Sequence, residues 1–282
     1  MTRRLGACAI VGLGLAFACG CSGGGTDDES DAESSDDAAA LTAGWSVLGN
    51  GVAYRSTSAG DGVFIGYAGY SVPLDHSALW VDALFEARLK ALGVGHLYAV
   101  RGPSDAGYAN KNIANTRLAA HLVGTRGAAA HFVLVGAHSS GTYVAHELFA
   151  QVFGGAHDPQ HALEDKIVYA NLDGGGSGLD TRILSLLRKI AFVWAEDTTL
   201  SRGRSTNAGG MEALGDAHGD SGLRLVVDRS GCRSSAKWCL HDLLITTRPH
   251  DPDRFDLARD YTDFVGRPVQ IGWISALESS LR

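Results

Sequence analysis

One serine in this chain stands where its hydroxyl could serve as a nucleophile. Residues 131 to 153, HFVLVGAHSSGTYVAHELFAQVF, read as an apolar strand, the turn Gly136-Ala137-His138-Ser139-Ser140-Gly141, and an amphipathic helix. A serine on so sharp a turn projects its oxygen clear of the backbone. It needs small residues two positions before and two after, because larger side chains would collide with the neighbouring strand and helix. Ala137 and Gly141 meet that need. The next amide, that of Ser140, lies at a helix start and points to where negative charge would develop on an attacked carbonyl. Such a serine does acyl-transfer chemistry only if a histidine takes its proton and a carboxylate orients that histidine.

The turn resembles the nucleophile elbow of the α/β-hydrolases, whose members include serine esterases and lipases. It departs from the usual form in having Ala137 where the first glycine normally stands, a change shared by some small bacterial lipases. The resemblance covers roughly residues 50 to 280. It implies the chain order serine, acid, histidine. The acid then falls at the end of a later strand, in Leu172-Asp173-Gly174 or in Trp194-Ala195-Glu196-Asp197; Asp197 occupies the commoner position and Asp173 the alternative one. The histidine follows the last strand, which makes His241 the expected base and His250, in a Pro-rich turn, the alternative. A second oxyanion amide is expected from Gly66-Tyr67-Ala68-Gly69-Tyr70, donated by Ala68 or Gly69 with Tyr67 in reserve. His146, His157 and His161 read as structural or exposed.

Elements able to position these groups are visible in the hydropathy. Strand-like runs occupy 63–65, 96–100, 131–135, 166–172, 190–194 and 223–227, and helix-like runs 77–92, 112–123 and 140–153, the first with Asp75 or Ser77 as its cap. Strands that are apolar throughout, alternating with amphipathic helices, imply a mostly parallel sheet covered by helices on both faces, a three-layer α/β sandwich. Active residues of such sheets collect at the carboxyl ends of the strands.

The first 21 residues differ from the rest. Arg3 and Arg4 precede an apolar stretch from Leu5 to Ala18, then Cys19 and Cys21 follow. The stretch is short for a membrane span and reads as an export signal. It resembles a bacterial lipoprotein signal, which implies lipidation of Cys19 or Cys21 and a periplasmic or cell-surface location. Residues 22–40 hold seven carboxylates among Gly, Ser and Ala and cannot bury a core, so they read as a solvated tether to a domain at 41–282. That domain holds 24 Asp and Glu against 22 Lys and Arg, a net charge of −2, which offers no basic footprint for nucleic acid. Its two cysteines, Cys232 and Cys239, could pair in an oxidising compartment and hold the loop that carries His241.

No metal-ligand spacing or phosphate-binding loop is present in the sequence, so no cofactor is expected. The partners expected are a small ester or lipid substrate and, through the anchor alone, a membrane. The expected activity is a carboxylesterase or lipase working through an acyl-enzyme; a peptidase, an acyltransferase or a non-catalytic binding protein could share the fold. For the anchor, a Cys19→Ala, Cys21→Ala double variant should lose metabolic lipid labelling and leave the membrane fraction. Label that survives both replacements refutes the anchor. Since Cys21 as anchor would leave no unpaired thiol, Cys21→Ala alone should suffice.

Overall fold

The computed structural model describes residues 41, 43–103, 111–127, 129–154, 162–175, 181–196, 204, 223–226, 240, 241, 244, 245 and 271–282. The leader 1–21, the tether 22–40, Asp197, Cys232, Cys239 and His250 lie outside them. In chain order the elements are β1 (Ser46–Gly49), β2 (Val52–Ser56), β3 (Gly62–Tyr67), α1 (Leu74–Ala87), β4 (Val94–Val100), α2 (Lys111–His121), β5 (Val133–His138), α3 (Gly141–Phe153), β6 (Ile167–Leu172), α4 (Thr181–Leu184), β7 (Lys189–Glu196), β8 (Leu223–Val226) and α5 (Gly272–Leu277).

The strands form one sheet in the order β1-β2-β4-β3-β5-β6-β7-β8. β2 runs antiparallel to both neighbours, and every other pairing from β4 to β8 is parallel. β3, β5 and β6 are buried at every position because helices cover both faces. Residue parity sorts their side chains into two cores. Phe64, Leu134, Val168, Ala170 and Val193 point to one face, where Trp80, Leu84 and Phe85 of α1 pack with Trp273 and Ile274 of α5. Ile65, Val133, Val135, Tyr169 and Phe192 point to the other, against Leu118 of α2 and Val144, Leu148 and Phe149 of α3. This is the three-layer α/β-hydrolase sandwich that the resemblance implies.

The strand order creates the cleft. From β3 the chain crosses to β4 on one side, and from β5 it crosses to β6 on the other, so connections diverge between the adjacent strands β3 and β5. Loops that part in this way leave a crevice at the carboxyl ends, the usual ligand position in open sheets.

Three local expectations change. The hairpin β1–β2 was not legible as strands, because its strands are short and only Val52 and Ala53 are buried, and a turn through Gly49, Asn50 and Gly51 closes it with all three at positive φ. α1 starts at Leu74 behind Pro73, with no side-chain cap. Asp75 sits within its first turn, and the Ser77 hydroxyl donates back to the Pro73 carbonyl at 3.0 Å. The helix also ends at Ala87 instead of 92, giving way to a 3₁₀ turn over Leu89–Leu92.

α5 docks the end of the chain: Trp273 is fully buried, and the Glu278 carboxylate beyond it binds Arg282 and Arg88. Those two guanidinium groups hold the Glu278 carboxyl below its ordinary range. Trp273→Ala should lower unfolding free energy by about 3–5 kcal/mol in denaturant titrations. Glu86→Ala, which removes an exposed pair with Lys90 at 3.7 Å, should change it by less than about 1 kcal/mol.

Candidate active site

β5 runs through Gly136, Ala137 and His138, three residues beyond the apolar stretch, and delivers Ser139 at the carboxyl edge of the sheet. Ser139 has φ of 54°, a left-handed conformation that a non-glycine residue holds at a cost of about 1–3 kcal/mol and that clusters at functional sites. Its amide donates to the Leu172 carbonyl at 3.1 Å, and its carbonyl accepts from the Thr142 amide at 3.2 Å and the Thr142 hydroxyl at 2.8 Å. Small neighbours are required. A Cβ on Gly141 would lie 2.3 Å from the Ala68 carbonyl oxygen, so what a side chain there would strike is the loop after β3.

Next to it, β6 ends in Asp173. β5 and β6 pair with His138 opposite Leu172, so Ser139 and Asp173 follow at adjacent places on the same edge. Asp173 also has positive φ, 50°, and is fully buried; its amide donates to the Val193 carbonyl at 2.9 Å. The turn beyond it is held by Asn171, whose Oδ1 accepts from the Gly174 amide at 2.8 Å. A Cβ on Gly174 would lie 2.5 Å from the Ser139 carbonyl oxygen, so the two strand ends are packed directly together.

His241 reaches this edge from 68 residues further along the chain. Its Nδ1 lies 2.5 Å from Asp173 Oδ2, and the pair is buried, with side-chain exposures of 4% and 0%. An imidazole bonded to a carboxylate through Nδ1 has Nε2 left to exchange a proton. His138, the residue before the serine, packs its ring 4.5 Å from that of His241, and its Nε2 lies 3.2 Å from the His241 carbonyl oxygen.

The loop after β3 closes the site from the other side. The Ala68 amide donates to the Val100 carbonyl at 3.2 Å, which engages that expected oxyanion donor in continuing the ladder with β4. Gly69 comes closer: a Cβ on it would lie 3.3 Å from Ser139 Cβ and 3.1 Å from His138 Nδ1, so its backbone lies against Ser139. The amides of Gly69 and Ser140 have no hydrogen-bond partner among the described residues. Tyr67, the last residue of β3, is part of the core. Its phenol donates to Asn115 Oδ1 at 2.7 Å, and Asn115 Nδ2 donates to the Val144 carbonyl of α3 at 2.6 Å. His146 is likewise structural, bonded to the Tyr169 hydroxyl at 2.9 Å. Burial pushes both phenols, Tyr67 and Tyr169, well above their ordinary range, so they stay neutral hydrogen-bonding groups.

Ser139, Ser140, Ala68 and His241 therefore come to one edge of the sheet, with Asp173 as the carboxylate bonded to His241. Sequence reasoning passed over His138, Asn171 and Gly174. The only signal for His138 was its place directly before the serine. Among the described residues no group of three or more His, Cys, Asp and Glu could hold a metal ion, and no helix is long and apolar enough to cross a membrane.

No family profile and no curated protein matches the chain. Solved structures with similar backbones include a truncated carbohydrate esterase from gut microbiota, at 10% identity and TM-score 0.41, covering 62% of this chain and 81% of that one. A candidate thioesterase from Silicibacter sp. has 11% identity and TM-score 0.45, with 82% and 90% covered. The acylaminoacyl peptidase of Pyrococcus horikoshii has 8% identity and TM-score 0.36, with 74% and 41% covered.

Proposed function

We propose that this protein is a serine hydrolase that cleaves carboxylic esters through an acyl-enzyme, with Ser139 as nucleophile, His241 as general base and Asp173, in place of the expected Asp197, as the orienting acid. The observation that carries the reading is the buried 2.5 Å pair of His241 Nδ1 and Asp173, set beside a serine strained to a φ of 54°. Ser139 Oγ adds to the acyl carbon as its proton passes to His241 Nε2. The carbonyl electrons move onto oxygen, where the Ser140 and Gly69 amides receive the charge. Gly69 takes that role in place of Ala68, whose amide is spent on Val100. Collapse expels the alcohol, which takes the proton from His241, and water then releases the acid by the same steps in reverse. Export and lipid anchoring through Cys19 or Cys21 belong to the same proposal; they are supported by the basic and apolar leader and the acidic tether that follows.

The test is labelling with a serine-reactive fluorophosphonate together with hydrolysis of a panel of esters, thioesters and peptides. Ser139→Ala should abolish labelling. Ser139→Ala and His241→Ala should each lower ester turnover by up to about a millionfold, with the double variant hardly worse, because the groups act as a unit. Asp173→Asn should cost about ten-thousandfold, and Asp197→Asn far less. The reverse ranking would return the orienting role to Asp197. Folded wild-type protein that takes no label would mark a hydrolase fold that binds without chemistry, and peptides preferred over esters would mark a peptidase.

A further inference from the structure

Leu240 and His241 are helical and buried, and they belong to no strand of the sheet. A general base must hold its nitrogen within hydrogen-bond reach of the serine, and a displacement of about 1 Å can cost about a hundredfold in rate. The bond to Asp173 fixes the ring's direction, whereas the contact from His138 reaches the backbone that carries the ring.

We infer that His138 is a positioning residue for the base: it ties the backbone of His241 to the last residue of β5, so that nucleophile and base hang from one rigid strand. A carbonyl oxygen carries no proton, so the 3.2 Å contact between His138 Nε2 and the His241 carbonyl requires Nε2–H to donate. The two rings also pack at 4.5 Å, which limits rotation of the His241 ring about its own side-chain bonds. His138 is 3% exposed and ends the central strand, bonded on both sides by β3 and β6 through its neighbours, so the anchor itself cannot move far. On its far side the ring abuts the Gly69 backbone, 3.1 Å from where a Cβ would stand. The one imidazole therefore spaces the oxyanion loop and His241 on either side of Ser139.

This inference rests on the hydrolase reading for its kinetic consequence and is independent of it for its structural one. The kinetic arm compares three variants with wild type on a chromogenic ester. His138→Leu should lower kcat by about 10- to 100-fold with KM changed little. His138→Gln, whose amide places an N–H close to where Nε2 stands, should recover most of that loss. His138→Asn, whose amide falls short, should not. The structural arm follows the downfield proton shared by His241 Nδ1 and Asp173 in the full ¹⁵N-histidine-labelled chain. It should be sharp in wild type and His138→Gln, and broadened by solvent exchange in His138→Leu and His138→Asn. Should His138→Leu fail to fold, the Gln and Asn variants decide alone, and equal turnover and equal spectra in those two overturn the inference. A resonance unchanged across all variants overturns it as well. Wild-type protein with no esterase activity removes the hydrolase reading only, because the spectral comparison still decides whether His138 holds His241.

Discussion

The site depends on one ladder of backbone hydrogen bonds, the parallel pairing of β5 with β6. Its register sets His138 opposite Leu172, and its last rung runs from the Ser139 amide to the Leu172 carbonyl. Both strands then leave the sheet through a residue at positive φ, Ser139 and Asp173. Neither conformation would persist alone, since each costs about 1–3 kcal/mol. They persist because the surroundings hold both ends: the Asp173 amide bonds to β7, the Thr142 amide and hydroxyl hold the Ser139 carbonyl, and Gly174 lies against that same carbonyl.

The second demand is electrostatic. A fully buried carboxylate is costly to desolvate unless it is paired and hydrogen-bonded. Asp173 meets that demand through His241, drawn from a distant part of the chain. Removing one partner of a buried pair leaves the other uncompensated, typically at about 3–5 kcal/mol. The pair therefore fastens the segment around His241 to the sheet as well as orienting an imidazole. Leu240, buried in the same core as α1 and α5, adds an apolar anchor one residue away. Beneath the elbow two buried polar pairs link the sheet to the helices. Tyr67 and Asn115 join β3 to α2 and α3, and Tyr169 and His146 join β6 to α3, so the helix that follows Ser139 is tied to the sheet by polar bonds as well as by packing.

The elbow and the layered sheet were legible in the residues themselves. Small side chains around Ser139 and unbroken apolar runs such as Val133 to Val135 are local patterns, and the physics behind them acts over a few residues. The β1–β2 hairpin was not legible, because its two short strands carry no long continuous apolar run. The cap of α1 was misplaced for a similar reason: Ser77 bonds backward to Pro73 within the helix, an arrangement that looks the same as a cap in sequence.

What the sequence by itself determined is the small-residue setting of Ser139, the α/β class and the edge of the sheet to which Ser139 is delivered, since these follow from side-chain size and hydropathy period. What only the tertiary structure decided is that His241 meets Asp173 and that the Ala68 amide is engaged while the Gly69 amide has no partner among the described residues. In the sequence Asp173 and Asp197 both follow apolar runs, and nothing local to either tells which one His241 approaches. Ala68 and Gly69 are neighbours in one loop, yet Ala68 spends its amide on Val100, a residue of β4. Those outcomes depend on register and on bonds between residues dozens of positions apart. His138 is the clearest case: its place before Ser139 was plain, but its hold on His241 exists only once two segments 103 residues apart have met.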